Sequence, residues 1–439
     1  MMNRLAFLSV IIGFFLLGCT QKSDQNHSQQ TGSVIFIHPD GYSLQAWQAY
    51  RALSVGPDGN TAWDLLPHLG VYRAHVRDSL APTSHAGGTI HAYGIKVRRD
   101  SYGKDETESI TSASGKPYSI MTEASNSGIR TGIINSGHLA EPGTGAMLAQ
   151  VDSRKNREEI VSQMINSGAD IILGGGEVLF LPEGIIGKHG EPGVRQDGRN
   201  LIQEAQKAGY QVVYTTEELQ NLSSDTSKVL GLFAAEDTYN DESEEDLKAK
   251  NLTPYLPEAP DIALMTKHAL RLFSASGKQF FLMIEEEGTD NFGNINNASG
   301  LFEAYRRADE CIATAANYIN EHPDTLLLTA ADSDASGMQV IASQSFYGAH
   351  AMINGNLPAR SDTGADVDGI AGTGTAPFTS APDHAGNQFQ FGIAWPTHAD
   401  LPGGVIAKAA GMNAEKLPAN VDNTYLFRLV YLTLFGEEL

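Results

Sequence analysis

Thiols are nearly missing from this chain, since Cys19 and Cys311 are the only cysteines among 439 residues. That scarcity excludes a small disulfide-framed fold and a zinc centre built on thiolates, and Cys311, inside an apparent helix, reads as a buried apolar residue. Bases are also short, 30 Lys and Arg against 52 acids for a formal charge of −22, and no Lys/Arg run is longer than a few residues. Binding of nucleic acid, or of an anionic membrane surface, through a basic patch is thereby disfavoured. The apolar run near the start, Leu5 to Leu17, is thirteen residues and too short to span a bilayer. No internal repeat is visible, and no Pro/Gly-rich linker divides the chain after residue 33. What is present is an apolar content of 41%, enough for one large core.

The short apolar run follows Arg4 and ends at Leu16-Leu17-Gly18-Cys19, a pattern that looks like a bacterial lipobox. Residues 1–18 therefore read as a lipoprotein signal peptide and Cys19 as a lipid-modified N-terminus; a signal cut at another point is the plainer alternative. Residues 19–32 are polar and rich in Gln and Ser, which predicts a disordered tether, and 33–439 form the folded domain. Thr20 after the cysteine, rather than Asp, fits sorting to an outer membrane with the domain facing the periplasm. The lipid would be the only membrane contact.

From residue 33 on, strand-like apolar runs alternate with helical patterns, which argues for an α/β fold with a largely parallel central sheet. Helices are predicted over 44–54, 118–126, 157–166, 201–208, 262–274 and 298–319, with strands over 131–134, 170–173, 211–214 and 229–233 between them. Two long stretches break the alternation. Residues 236–260 are acidic and polar; residues 343–383 are rich in Gly, Ala, Asp and Thr and read as a cap or rim insertion, with a separate Ca²⁺ site at Asp362 to Asp368 as an alternative.

Acids gather where apolar runs stop. Phe280 to Ile284 ends in Glu285, Glu286 and Glu287, with Asp290 after a glycine; Val34 to His38 ends in Pro39-Asp40; Thr325 to Ala331 ends in Asp332, Ser333 and Asp334. Near the C-terminus Asp383-His384 precedes the strand-like run Phe389 to Trp395. Ligands of open α/β sheets sit outside the carboxyl ends of the strands, so acids delivered to one edge ask for a cation. Carboxylates with one imidazole suit Zn²⁺, Mg²⁺ or Mn²⁺. A solvated acidic loop is the bland reading of any one such segment.

Pro82-Thr83-Ser84-His85-Ala86-Gly87-Gly88-Thr89 is dense in small residues and could place a hydroxyl at a helix N-terminus, although Ser or Thr there is more often a plain N-cap. The order of these parts resembles the alkaline phosphatase superfamily. Ser84 and the glycines after it look like that family's nucleophile turn. His91-Ala92-Tyr93-Gly94-Ile95-Lys96, Gly168-Ala169-Asp170-Ile171-Ile172-Leu173-Gly174-Gly175-Gly176 and Asn423-Thr424-Tyr425-Leu426-Phe427-Arg428 are similar to further family stretches.

The resemblance implies a three-layer α/β/α sandwich that hydrolyses phosphate monoesters through a phosphoserine at Ser84 and releases inorganic phosphate. Arg154 would clamp the phosphoryl oxygens. Asp40 would lie between two metal positions, Asp290 and His384 would hold one catalytic divalent ion, Asp332 would help to hold the other, and Glu285 would serve a third ion, usually Mg²⁺. Glu141, with His138 as the alternative, is the further third-metal candidate. Two family imidazoles are replaced, by Asn294 and Ser333, so Mg²⁺, Mn²⁺ or Ca²⁺ competes with Zn²⁺ as the resident ion. Thr83 replaces the acid usually found before the nucleophile, removing a contact that positions the arginine. Small phosphorylated molecules are the expected partners, and a homodimer is left open. The rival readings are a phosphodiesterase or phosphonate hydrolase on the same fold, and a surface lipoprotein that binds phosphate or metal without turnover.

Overall fold

The computed structural model describes residues 31–342 and 352–439. The signal peptide, Cys19, most of the tether and the start of the 343–383 insertion lie outside the described residues. Ten strands form the main sheet: β1 Ser33–Pro39, β2 His68–Arg73, β3 Arg130–His138, β4 Ile171–Gly175, β5 Gln211–Val213, β6 Val229–Leu232, β7 Phe280–Glu286, β8 Thr325–Thr329, β9 Ile406–Gly411 and β10 Asn420–Asp422. Their spatial order is β10-β2-β9-β8-β1-β7-β3-β4-β6-β5. Only β9 runs antiparallel to its neighbours, β2 and β8. β1, β3, β7 and β8 are buried along their whole lengths, as near-continuous apolar runs in a parallel sheet covered by helices should be. The α/β fold read from the sequence is thus the observed one.

The predicted helices are present with ends moved by a residue or two, as Leu44–Ser54, Ile120–Asn126, Arg157–Asn166, Leu201–Lys207, Ile262–Ser276 and Ala298–Glu321. Ala298–Glu321 carries an apolar stripe, from Leu301 and Phe302 through Tyr305 and Ile312 to Ile319, that packs on the core, and it starts where the Asn297 side chain accepts from the Gly300 amide. One strand reading needs correction. The run near 389–395 forms Gln390–Trp395, but it pairs antiparallel with Gln339–Ala342 and Asp366–Gly369 in a separate five-stranded sheet. Its flanking residues are therefore not delivered to the main sheet's edge. The described part of the 343–383 insertion contributes strands to this small sheet, and the acidic stretch 236–260 contains a helix, Glu244–Lys250.

In-register pairing fixes which groups meet at the sheet's carboxyl edge. β7 lies between β1 and β3 and sets Glu285 beside both His38 and Asn135. Across that edge lies the helix Ser84–Tyr93, which has room only because Gly87 has no side chain: a Cβ there would stand 2.2 Å from the Asp332 Cβ. The small residues of this segment thus serve close packing of the helix on a strand end. Gly87→Ala is predicted to destabilise the fold by about 1–3 kcal/mol through overpacking, read as a lower thermal midpoint. An unchanged midpoint would mean that the helix does not pack on Asp332 this closely.

Candidate active site

Asp40, Glu285, Glu286, Glu287, Asp290 and Asp332 are all buried, and Asp40, Glu285 and Glu286 are 0% exposed. Asp40 follows β1, and its Oδ1 lies 2.8 Å from the Gly41 amide and 3.2 Å from His38 Nε2. Burial alone would raise its pKa. Its neighbours Asp332, His38 and Ser84, with the charge of His38, instead hold the carboxyl below the ordinary carboxylate range. The neighbours move the other way. Burial first, then the like charges around them, push Glu287, Asp290 and Asp332 well above the ordinary range.

Ser84 is the first residue of the helix Ser84–Tyr93 and is 4% exposed; Thr83 is the N-cap, its hydroxyl accepting from the Ala86 amide at 3.4 Å. The cap and the candidate nucleophile are thus separate residues. Asp290 and Asn294 share the helix Gly288–Asn294, which starts directly after the strand acids, and their four-residue spacing puts them on one face. The Asn294 amide nitrogen lies 3.0 and 3.1 Å from the two Asp290 oxygens and 3.0 Å from Asp400 Oδ1. Glu285 Oε2 accepts from the Thr144 amide at 2.8 Å, the Thr144 hydroxyl at 3.0 Å and the Asn135 amide at 2.5 Å, while its Oε1 has no partner.

Arg154 stands at the rim with its side chain 42% exposed, and its Nη2 donates to Glu141 Oε2 at 2.8 Å. Glu141 Oε1 lies 2.9 Å from His138 Nε2, so both oxygens of Glu141 are engaged. Glu141 also forms, with His138 and Asp237, a group whose ligand atoms lie within 4.8 Å of one another and could hold an ion. In the structure it anchors Arg154, supplying the contact that Thr83 cannot. Desolvation opposes the guanidinium's charge, but Glu141, Glu287, Asp290 and Asp40 all favour it and raise its pKa.

His384 is not brought to this cluster. Its side chain is 83% exposed beside Asp58, 3.6 Å away, and its amide donates to Asp58 at 3.0 Å. The loop that carries it is tied to the small sheet and to the end of helix Leu44–Ser54 through the Ala381 amide and the Ala52 carbonyl. Three residues with no assigned role lie in or beside it instead: His38, Glu287 and Asp400. His38 Nε2 and oxygens of Asp40 and Glu285 lie within 4.8 Å of one another; so do oxygens of Asp40, Glu287 and Asp290. The signal for His38 was available, since residues 38 and 40 face one side of a strand end. Asp400 had no such signal, because it arrives on the two-residue strand Asp400–Leu401, which pairs with Asp334–Ala335.

Among the described residues, several of these buried oxygens have no hydrogen-bond partner: Asp40 Oδ2, Glu285 Oε1, Glu286 Oε2, Glu287 Oε2 and both oxygens of Asp332. Burying carboxylates without compensation is expensive, and oxygens converging within a few ångströms fit divalent cations. The donor set is compatible with divalent ions: Asp40, Glu285, Glu287 and Asp290 fall in such groups, Asn294 turns its amide nitrogen toward Asp290, Asp332 neighbours Asp40, and His384 lies outside.

One titration checks the arginine anchor. Burial would lower the His138 pKa, but the charge and hydrogen bond of Glu141 raise it from 6.5 to about 9. A raised folded-state pKa contributes stability fully present below 6.5 and lost as pH rises through about 9. In Glu141→Gln, NMR of the His138 ring should show its titration moving down toward 6.5, and the stability difference from wild type should shrink between pH 6.5 and 9. A His138 titration unmoved by that substitution would contradict the pairing.

Known proteins place this geometry in a lineage. The alkaline phosphatase family profile matches residues 32–434. The membrane-bound alkaline phosphatase of Bombyx mori is 24% identical over 352 residues, 71% of this chain and 62% of its own length. The repressible alkaline phosphatase of Saccharomyces cerevisiae is 26% identical over 341 residues, 73% of this chain and 58% of its own length. For the alkaline phosphatase of Escherichia coli K12 the identity is 25% over 350 residues, 71% of each chain. The match thus spans about three-fifths of the insect and yeast proteins. Among solved structures, alkaline phosphatase from the Antarctic bacterium TAB5 superposes with a TM-score of 0.69 at 18% identity, over 93% of this chain and 100% of its own. That of Thermus thermophilus also gives 0.69, at 19% identity, over 97% and 96%. These likenesses show a shared fold, and with the profile covering nearly the whole of the folded chain, the protein belongs to the alkaline phosphatase family.

Proposed function

We propose that the chain is a phosphomonoesterase that works through a phosphoserine at Ser84 and depends on divalent cations. The observation that carries this reading is the placement of Ser84. It begins a helix beside Asp40, a carboxylate kept ionised, and an arginine at the rim feels the same acids. In the first step the Ser84 oxygen attacks phosphorus, the bond from phosphorus to the ester oxygen breaks in line, and the serine proton passes through solvent to that oxygen, which leaves as the alcohol. In the second, water attacks phosphorus, the bond to Ser84 breaks, a proton from the water returns to the Ser84 oxygen, and inorganic phosphate leaves. Asp40, beside Ser84, would orient the hydroxyl. Arg154, kept charged by its acidic neighbours and held by Glu141, offers a fork of donors to the non-bridging oxygens. Bound divalent ions would supply the positive charge that activates the hydroxyl and offsets charge on the leaving oxygen. Asp40, Asp290, Asn294 and Asp332 would hold two of them, and Glu285, with His38 close by, a third, for which Mg²⁺ is the family's usual ion.

A monoester substrate and export as a lipoprotein anchored at Cys19 belong to the same proposal. The first rests on the exposed guanidinium, which matches a doubly charged phosphoryl group; the second rests on the lipobox-like Leu16-Leu17-Gly18-Cys19.

With p-nitrophenyl phosphate at alkaline pH, chelated protein should regain activity with one of Zn²⁺, Mg²⁺, Mn²⁺ or Ca²⁺. Ser84→Ala should lower kcat by about a thousandfold or more. Near-normal turnover in Ser84→Ala would remove the nucleophile assignment, and cleavage of a methyl diester but not of the monoester would transfer the chain to the phosphodiesterase reading. Arg154→Ala should raise KM for the monoester by about tenfold or more through loss of a charge-assisted pair, with little change for the diester.

A further inference from the structure

We infer that Asp400 and Glu287 stand in for the absent imidazoles, so that the cation position beside Asp290 is an all-oxygen site that favours Mn²⁺ or Mg²⁺ over Zn²⁺. The inference uses the family's need for divalent ions but not the phosphatase activity. Asn294 and Ser333 occupy the two positions at which the sequence departs from the family's imidazoles, and His384 is 83% exposed on another face. Into the space thus left comes Asp400, carried by the pairing of Asp400–Leu401 with Asp334–Ala335, just beyond Asp332.

The amide of Asn294 marks the gap. Its nitrogen touches both Asp290 oxygens and Asp400 Oδ1 at 3.0 to 3.1 Å, so a group bearing partial positive charge lies between two carboxylates. Turning that amide over presents its oxygen to the same place, as an ion would require. Glu287 provides the second, independent observation. It is 1% exposed, its Oε2 has no partner, and one of its oxygens lies within 4.8 Å of oxygens of Asp40 and Asp290. Two oxygens on opposite sides of Mg²⁺ or Mn²⁺ stand about 4.2 Å apart, and slightly further around Ca²⁺.

No imidazole belongs to that trio. His398 is the nearest in sequence to Asp400, but its Nδ1 lies 3.1 Å from the Asn294 carbonyl and its Nε2 3.3 Å from the Asn296 amide, on the exposed side. Carboxylate and amide oxygens are hard donors and suit Mg²⁺ and Mn²⁺, whereas Zn²⁺ gains from imidazole.

The test is Mn²⁺ binding to the chelator-treated protein, followed by electron paramagnetic resonance with no ester present, and its displacement by Zn²⁺. Asp400→Asn and Glu287→Gln should each weaken Mn²⁺ at one site by about tenfold or more, while His384→Ala and His398→Ala leave it within about twofold. Asn294→His, which restores an imidazole, should shift the preference of that site toward Zn²⁺ by about tenfold or more, and it keeps the idea testable if Asp400→Asn fails to fold. Wild-type affinity in a folded Asp400→Asn, loss of the ion in His398→Ala, or an unmoved preference in Asn294→His would overturn the inference. Mn²⁺ binding through Asp400 in a chain that hydrolyses no ester would leave it standing and remove the phosphatase reading; hydrolysis with Mn²⁺ binding indifferent to Asp400 would do the reverse.

Discussion

The edge formed by β8, β1, β7 and β3 gathers carboxylates that are shut away from water, and their mutual repulsion is the constraint around which the surrounding residues are arranged. A parallel sheet points its carboxyl ends one way, so Asp40, Glu285 and Asp332 arrive together as a consequence of topology. Coulomb repulsion between such groups is strong in a low-dielectric interior, and it is relieved by taking up protons, by protein cations or by bound ions. Asp40, with His38 beside it, stays ionised, whereas Asp290, Glu287 and Asp332 are driven toward the protonated form. This unequal sharing is what buried acids do when too few fixed cations surround them.

Two layers of response are visible. Fixed donors serve one oxygen of several acids: Asn135 and Thr144 hold Glu285 Oε2, while Ser136 and Tyr255 hold Glu286 Oε1. The opposite oxygens, Glu285 Oε1 and Glu286 Oε2, are left without partners. Glu141 behaves differently, with both oxygens satisfied by His138 and Arg154.

The fold and the inner acids were legible because they rest on local signals. An apolar run that stops at a carboxylate shows the strand and puts its acid at the strand's end, and this holds for Asp40, Glu285 and Asp332, which are buried there. The candidacy of Ser84 as nucleophile comes only from the family resemblance, since its own segment reads equally well as a cap, and Thr83 does serve as one. The misplacement of His384 has a clear cause. The run that follows it, Gln390–Trp395, is indistinguishable by pattern from a main-sheet strand, and only long-range pairing with Gln339–Ala342 assigns it to the small sheet. Asp400 was hidden for the complementary reason: a two-residue strand has no periodicity to read, and its position depends wholly on its partner Asp334–Ala335.

The most direct test of this account is thermal unfolding of the wild-type protein after chelation, with and without added divalent ion. An ion at a hundred times its Kd stabilises the folded state by about 2.7 kcal/mol per site, so the account predicts a midpoint that climbs by several degrees with Mg²⁺ or Mn²⁺ and falls back on chelation. A midpoint indifferent to every divalent ion would contradict it, since the buried oxygens of Asp332, Glu287 and Glu285 would then be stable without the charge they are arranged to receive.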